Sequence, residues 1–172
     1  MKKLLKWIAY LLLFVLFFII FTPKTRLYYG LEKALYPSQI IVSDEKIRET
    51  PVSLHIENGK LFFKDIEMGE FEHIAIYPDI FFNLLKIEHF QKNREISLLP
   101  NITLTNLTIF YTPFYPIKAW IKGKSSLGSI KGYVNLRQRR VQIDLFASKL
   151  PGQLQSLMKK IKEGQYRYEY SY

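Results

Sequence analysis

Hydrophobic and polar positions change their spacing along this chain, and each change predicts a different element. From Trp7 to Phe21 fifteen consecutive positions are apolar or aromatic; counted from Leu4 the run is eighteen long, broken only by Lys6. As a helix it spans roughly 27 Å, close to the thickness of a hydrocarbon core. Lys6 can snorkel to the headgroups, and Trp7 and Tyr10 suit the interface on that side. The run ends Ile-Ile-Phe-Thr-Pro-Lys with no small-residue cleavage pattern, so it is read as an uncleaved anchor rather than a signal peptide. Leu4, Trp7, Tyr10, Phe14 and Phe21 are its expected membrane contacts. Lys2, Lys3 and Lys6 precede it and Lys24 and Arg26 follow it, which favours a cytoplasmic N-terminus.

After Pro23 the spacing becomes helical. Leu27, Leu31 and Leu35 repeat every four residues and predict a short helix with one shared face. Thr25 is placed to cap it and Pro37 to end it. This segment joins anchor to body, either lying along the membrane or plugging one end of a sheet.

From Gln39 the period is two. Val52–Glu57 and Lys60–Lys64 alternate on either side of Asn58-Gly59, the dipeptide that most strongly signals a hairpin turn. Further strands are expected over Glu72–Tyr77, Ile102–Phe110, Ile117–Lys122, Ile130–Leu136 and Val141–Leu145, with Arg137-Gln138-Arg139-Arg140 as a second, polar turn. Such alternation predicts an antiparallel sheet with one apolar and one wet face. Near the end, Leu154, Leu157, Met158 and Ile161 give a helical stripe over Pro151–Lys162, with Gly164 as its cap. The tail Tyr166–Tyr172 alternates again and suits an edge strand.

Composition narrows the class. The body has no cysteine, so it depends on packing and strand pairing. Charge is uneven: residues 25–116 carry nine basic and twelve acidic side chains, residues 117–172 twelve basic and three acidic. The basic third suits anionic lipid headgroups or an acidic partner; outside the cytoplasm, nucleic acid is not an expected partner. Aromatics, at 16%, fill a core or line an apolar groove for a lipid or protein segment.

No catalytic constellation is legible. His55, His73 and His89 lie in separate segments without ligand spacing and are read as surface residues. Asp65, Glu67, Glu70 and Glu72 straddle Met68-Gly69, read as a solvated turn rather than a calcium loop. The glycosylation patterns at Asn101 and Asn106 are discounted. No catalytic, cofactor or metal residue is assigned, and a non-enzymatic role is expected.

Three stretches carry a family resemblance: Leu27–Leu35 after the anchor, Leu127–Leu136 with its Gly-x-x-x-Gly pattern, and the leucine-bearing C-terminal helix followed by Gly164–Tyr168. In these the chain resembles type II secretion protein N and the related AsmA-like envelope proteins. The resemblance implies an inner-membrane accessory protein with a curved sheet facing the periplasm, and, through the AsmA-like relatives, lipid handling in an apolar groove.

The expected fold is therefore mainly β: a single transmembrane helix (1–24), a juxtamembrane helix or linker (25–38), and a periplasmic β-rich domain (39–172). That domain is a curved antiparallel sheet, groove-like or partly closed, with a C-terminal amphipathic helix. Expected partners are membrane lipids and other envelope proteins. Lys118, Lys122, Lys124, Arg137, Arg139 and Arg140 are the candidate headgroup or partner contacts. The expected function is an accessory role in an envelope machine such as type II secretion; the alternative is a lipid-binding or lipid-bridging domain.

Overall fold

The period-two stretches pair into one antiparallel meander. The computed structural model describes residues 2–96 and 100–172, without the side chains of 34, 35 and 38. Helix α1 (Lys2–Phe21) is followed by α2 (Lys24–Leu35) and a 3₁₀ turn at Tyr36–Ser38. The strands are β1 (Ile40–Ser43), β2 (Lys46–Glu49), β3 (Leu54–Phe63), β4 (Ile66–Pro78), β5 (Asn83–Lys92), β6 (Thr103–Tyr111), β7 (Lys118–Ser125), β8 (Gly128–Asn135), β9 (Arg140–Phe146), β10 (Lys159–Lys162) and β11 (Gln165–Ser171), with a one-turn helix α3 (Gly152–Gln155) before β10. They form one eleven-stranded sheet in the order β1-β3-β4-β5-β6-β7-β8-β9-β11-β10, with β2 also on β3. The edge strands β1/β2 and β10 do not meet, so the sheet is open.

Cross-strand register sorts the side chains, because directly paired residues share a face. Leu54, Ile76, Leu85, Ile109, Ile121, Gly132, Ile143 and Tyr168 form one continuous row. Ile56, Ile74, Ile87, Leu107, Gly123, Ile130, Leu145 and Tyr166 form the next on the same face. No charge interrupts either row. At Gly132 a Cβ would lie 2.4 Å from the Gln142 carbonyl oxygen, so β8 and β9 approach more closely than a side chain permits.

The alternation breaks at the same level in four neighbouring strands. Ile56-Glu57-Asn58-Gly59, Phe71-Glu72-His73-Ile74, Ile87-Glu88-His89-Phe90 and Leu104-Thr105-Asn106-Leu107 each place two polar residues between inward-facing positions, and Asn58, Glu72, His89 and Thr105 are all exposed. Asn58 and His89 take the left-handed conformation, at φ 55° and 51°. A register shift between Leu104 and Asn106 ends the crease at β7. Such aligned irregularities bend a sheet.

This crease corrects the reading of Asn58-Gly59. The pair lies inside β3, not in a turn; the β3–β4 turn is Lys64-Asp65, with positive φ at both residues. Gly59 is required because the Phe71 ring lies over it: a Cβ there would come within 2.3 Å of that ring. Met68-Gly69 likewise lies inside β4 rather than in a turn.

The C-terminal helix is also shorter than its stripe suggested. Only Gly152–Gln155 is helical, and Leu157 and Ile161 are exposed. The free edge of β11 offers a full ladder of backbone hydrogen bonds, and Lys159–Lys162 pairs with it around the tight turn at Gly164 (φ 72°). Its three lysines then discourage further strand addition at this edge. The tyrosine tail is consequently an inner strand, between β9 and β10. Its Arg167 forms a two-pronged ion pair with Asp144, at 2.7 and 3.0 Å.

Two apolar clusters fix the ends of the meander. Tyr28 of α2 packs with Leu54, Ile56 and Phe71; Leu145, Ala147, Leu150 and Leu154 form the second. Full burial of Leu54 or Ile56 stabilises by about 1.5–3 kcal/mol each. Tyr28 is the residue that seats α2, whereas Leu27 and Leu31 of the expected stripe are half exposed and the side chain of Leu35 lies outside the described residues. The linker thus plugs one end of the sheet. Its N-cap is Pro23, not Thr25, whose hydroxyl instead donates to Glu49 Oε2 at 2.5 Å.

Candidate functional site: an apolar groove

The apolar face curls around a pocket of about 350 Å³. Phe90 of β5, Leu104 of β6, Ile130 of β8, Ile143 of β9 and Tyr168 of β11 all reach it, so strands far apart in the sheet face one another across the space. Leu154, Leu157 and Met158, around α3, close one side. A second apolar pocket of about 220 Å³ lies under α2, between Tyr28, Leu31, Ile56, Leu61, Ile74 and Leu85. Ile87, Leu107, Ile109 and Ile143 on this face remain only half buried. A face this continuous and this incompletely covered forms an apolar groove, whose larger pocket has the size of small-molecule sites.

Among the described residues, one cation lines the larger pocket. Lys92 is 7% exposed, lines the larger pocket, and donates from Nζ to the Ile96 carbonyl. Beside it, Lys92, Arg94, Asn101 and Thr103 line a polar pocket of about 310 Å³. A further polar pocket of about 400 Å³ sets Lys92 and Arg94 beside Glu67, Glu70 and Glu95, so the border of the apolar space carries both signs of charge. Sequence reasoning missed Lys92 because β5 was not recognised as a strand: its alternation is broken at Glu88-His89 by the crease.

The opposite face carries one apolar row, Tyr77, Leu84, Phe110, Trp120 and Tyr133, near the end where β4 meets β5; its next rows are mostly polar and hold a hydrogen-bonded chain. His55 Nδ1 and His73 Nε2 are 2.9 Å apart; His55 Nε2 meets Ser53 Oγ at 2.8 Å, and Ser53 meets Thr50 Oγ1 at 2.6 Å. His73 Nδ1 reaches Glu88 at 3.2 Å, and His89 pairs with Glu72 at 2.8 Å. Burial, then the neighbouring His73, lowers the His55 pKa. His55 and His73, read separately in sequence, are thus brought together by β3–β4 pairing, which no spacing along the chain reveals, whereas His89 stays exposed on β5. Among the described residues no group of three His, Asp or Glu could hold a metal ion.

The six candidate basic contacts divide. Lys118, Arg137, Arg139 and Arg140 gather at the strand ends around the β8–β9 turn, with Lys118 Nζ 4.6 Å from the centre of the Tyr133 ring. Lys122 and Lys124 project from the polar face of β7. Along α1 the expected membrane contacts Leu4, Trp7, Tyr10, Phe14 and Phe21 are all exposed, and the helix is long and apolar enough to cross a membrane, a property it shares with signal sequences.

The joint after α1 is tightly built. Lys24 is 1% exposed, and its ammonium donates to the carbonyls of Ile19, Ile20 and Thr22 at 2.8, 3.4 and 2.8 Å. These are orphan acceptors at a helix C-terminus. The Lys24 backbone N–H donates to Glu49 Oε1 at 2.9 Å. The Tyr28 hydroxyl donates to Glu45, and burial followed by that carboxylate pushes its pKa up.

Fold and site together define an open antiparallel β-meander with a grooved apolar face, attached to an N-terminal helix of membrane-spanning length. Comparison with family models, curated proteins and solved structures finds no match.

Proposed function

We propose that this chain is a non-catalytic, membrane-tethered protein of the bacterial envelope that holds an acyl chain in the groove of its sheet. In this reading α1 remains in the inner membrane with the N-terminus cytoplasmic, and the sheet stands in the periplasm. The observation that carries it is the 350 Å³ pocket, lined almost wholly by apolar side chains and bordered by Lys92. Retention of α1 is supported by Lys24, which binds carbonyls of α1 while its own N–H binds the body through Glu49. Cleavage between Phe21 and Lys24 would discard those partners.

The test is photo-crosslinking of the full chain in membranes carrying a phosphatidylglycerol with a photoactivatable acyl chain. Adducts are expected on peptides containing Leu104, Ile130 and Ile143. Adducts confined to α1 would overturn the groove reading.

The resemblance to type II secretion protein N extends the proposal to a site of action: the tether would serve an envelope machine such as type II secretion. Affinity capture of the full chain from gently solubilised envelopes tests that extension. Recovery of secretion components supports it, and their absence from the captured material removes it.

A further inference from the structure

The two ends of the sheet differ. α1 leaves from the end where Glu49 closes β2, because Lys24 and Thr25 bind there. Antiparallel register puts the β4–β5, β6–β7 and β8–β9 loops at that same end: Leu54 pairs with Ile76, Asn83 with Tyr111, Lys118 with Asn135. These loops expose Ile80, Phe81, Phe82, Phe114, Tyr115 and Leu136, with Phe114 78% exposed.

The aromatic residues are held in place rather than loose. Phe81 and Phe114 stack at 6.0 Å, Tyr115 stacks on Trp120 at 5.7 Å, and Phe82 stacks on Phe110 at 6.3 Å. Thr112 Oγ1 donates to the Phe81 carbonyl at 2.7 Å, tying two of the loops together. Asp79 is taken up by the Phe81 N–H. Lys118, Arg137, Arg139 and Arg140 stand around the same rim. The far end of the sheet also exposes apolar residues, among them Phe63 and Ile66, but there the neighbouring turn is Lys64-Asp65, and among the described residues no stacked aromatic pair joins two loops.

We propose that this aromatic and basic rim seats in the interfacial layer of the same bilayer that α1 enters, so that the sheet stands on the membrane by its loops. Rigid aromatic side chains at headgroup level, flanked by cations that meet anionic lipid, are the chemistry of an interfacial contact. The continuity with α1 identifies the occupant as a lipid surface. The inference rests on the tethered reading of α1 but not on the groove being filled.

The absence of native cysteine makes a clean test possible. Phe114→Cys, Ser126→Cys and Phe14→Cys are made singly in the full chain, labelled with bimane, and reconstituted in vesicles of phosphatidylethanolamine and phosphatidylglycerol. Phe114 is exposed, so its replacement leaves the core intact. The label at position 114 is expected to be quenched by lipid brominated high on its acyl chains and protected from aqueous iodide. The label at position 126, in the β7–β8 turn at the far end, should show the reverse. Iodide quenching at 114 equal to that at 126 overturns the proposal. The label at position 14 separates the two readings: if it lies in hydrocarbon while 114 lies in water, the tether stands and only the seated rim falls. If 14 is also in water, both fall.

Discussion

Glu49, at the end of β2, accepts the backbone N–H of Lys24 at 2.9 Å and so caps the helix that follows the membrane-length segment. The hydroxyl of Thr25 completes the contact, and that bond, followed by the Lys24 N–H, lowers the Glu49 pKa. A carboxylate at a helix N-terminus satisfies orphan donors and complements the dipole. Sheet and N-terminal helix are therefore joined through a side chain twenty-five positions downstream of the joint.

Removing that carboxylate should loosen the joint. Glu49→Ala is expected to cost about 1 kcal/mol or less, because the group caps a helix but is solvent-screened. Thermal melts of the full chain in detergent, with and without the substitution, measure it. The depressed carboxyl also makes a pH claim. Its contribution is present above the unfolded value of about 4.3 and is lost as pH falls through the lower folded value. Glu49→Ala should thus melt lower at neutral pH and converge with the parent in strong acid.

The His55–His73 contact predicts a slope in a higher window. Burial, then His73, depresses the His55 pKa; Arg48 acts in the same direction and Glu57 opposes. The unfolded chain takes up a proton near pH ~6.5 that the folded chain refuses until lower pH. Stability should fall as pH drops below about 6.5 and level off once the folded pKa is passed. His55→Gln should flatten that slope, read as melting temperature against pH. An unchanged slope would assign it to other groups.

The crease has its own test. Gly59→Ala drives a methyl into the buried Phe71 ring and is expected to destabilise by about 1–3 kcal/mol, the usual range for an overpacked core. Chemical denaturation of the two proteins compares them. Gly59→Ala combined with Phe71→Leu should recover part of the loss, since the ring is what the methyl meets.

The alternation in the body made much of the sheet legible in the sequence, because one face is apolar along most strands. What misled was the crease. Asn58-Gly59 has the composition of a hairpin turn, yet here it answers the ring of Phe71 on the neighbouring strand, a contact that sequence does not display. The same row hid β5 by putting Glu88 and His89 side by side. Over Leu154–Ile161 a good helical stripe lost to strand pairing, because β11 offered an open edge. An apolar sheet face was legible from the alternation; the place of Lys92 in the wall of its pocket was not, since a lone lysine carries no pattern of its own.

Filling the groove with protein should exclude its ligand. Ile143→Trp places an indole in the larger pocket. Lipid recovered with the purified chain is expected to drop several-fold while membrane association, which the proposed tether assigns to α1, stays as in the parent. Equal lipid recovery would locate the lipid elsewhere, on α1 or the rim.

The most direct measurement is native mass spectrometry of the full chain released from envelopes in a mild detergent. A chain whose groove holds an acyl ligand should appear with one retained lipid mass that survives detergent removal and is lost in Ile143→Trp. A bare chain, or a broad ladder of lipids unaffected by that substitution, would contradict a lipid-holding groove.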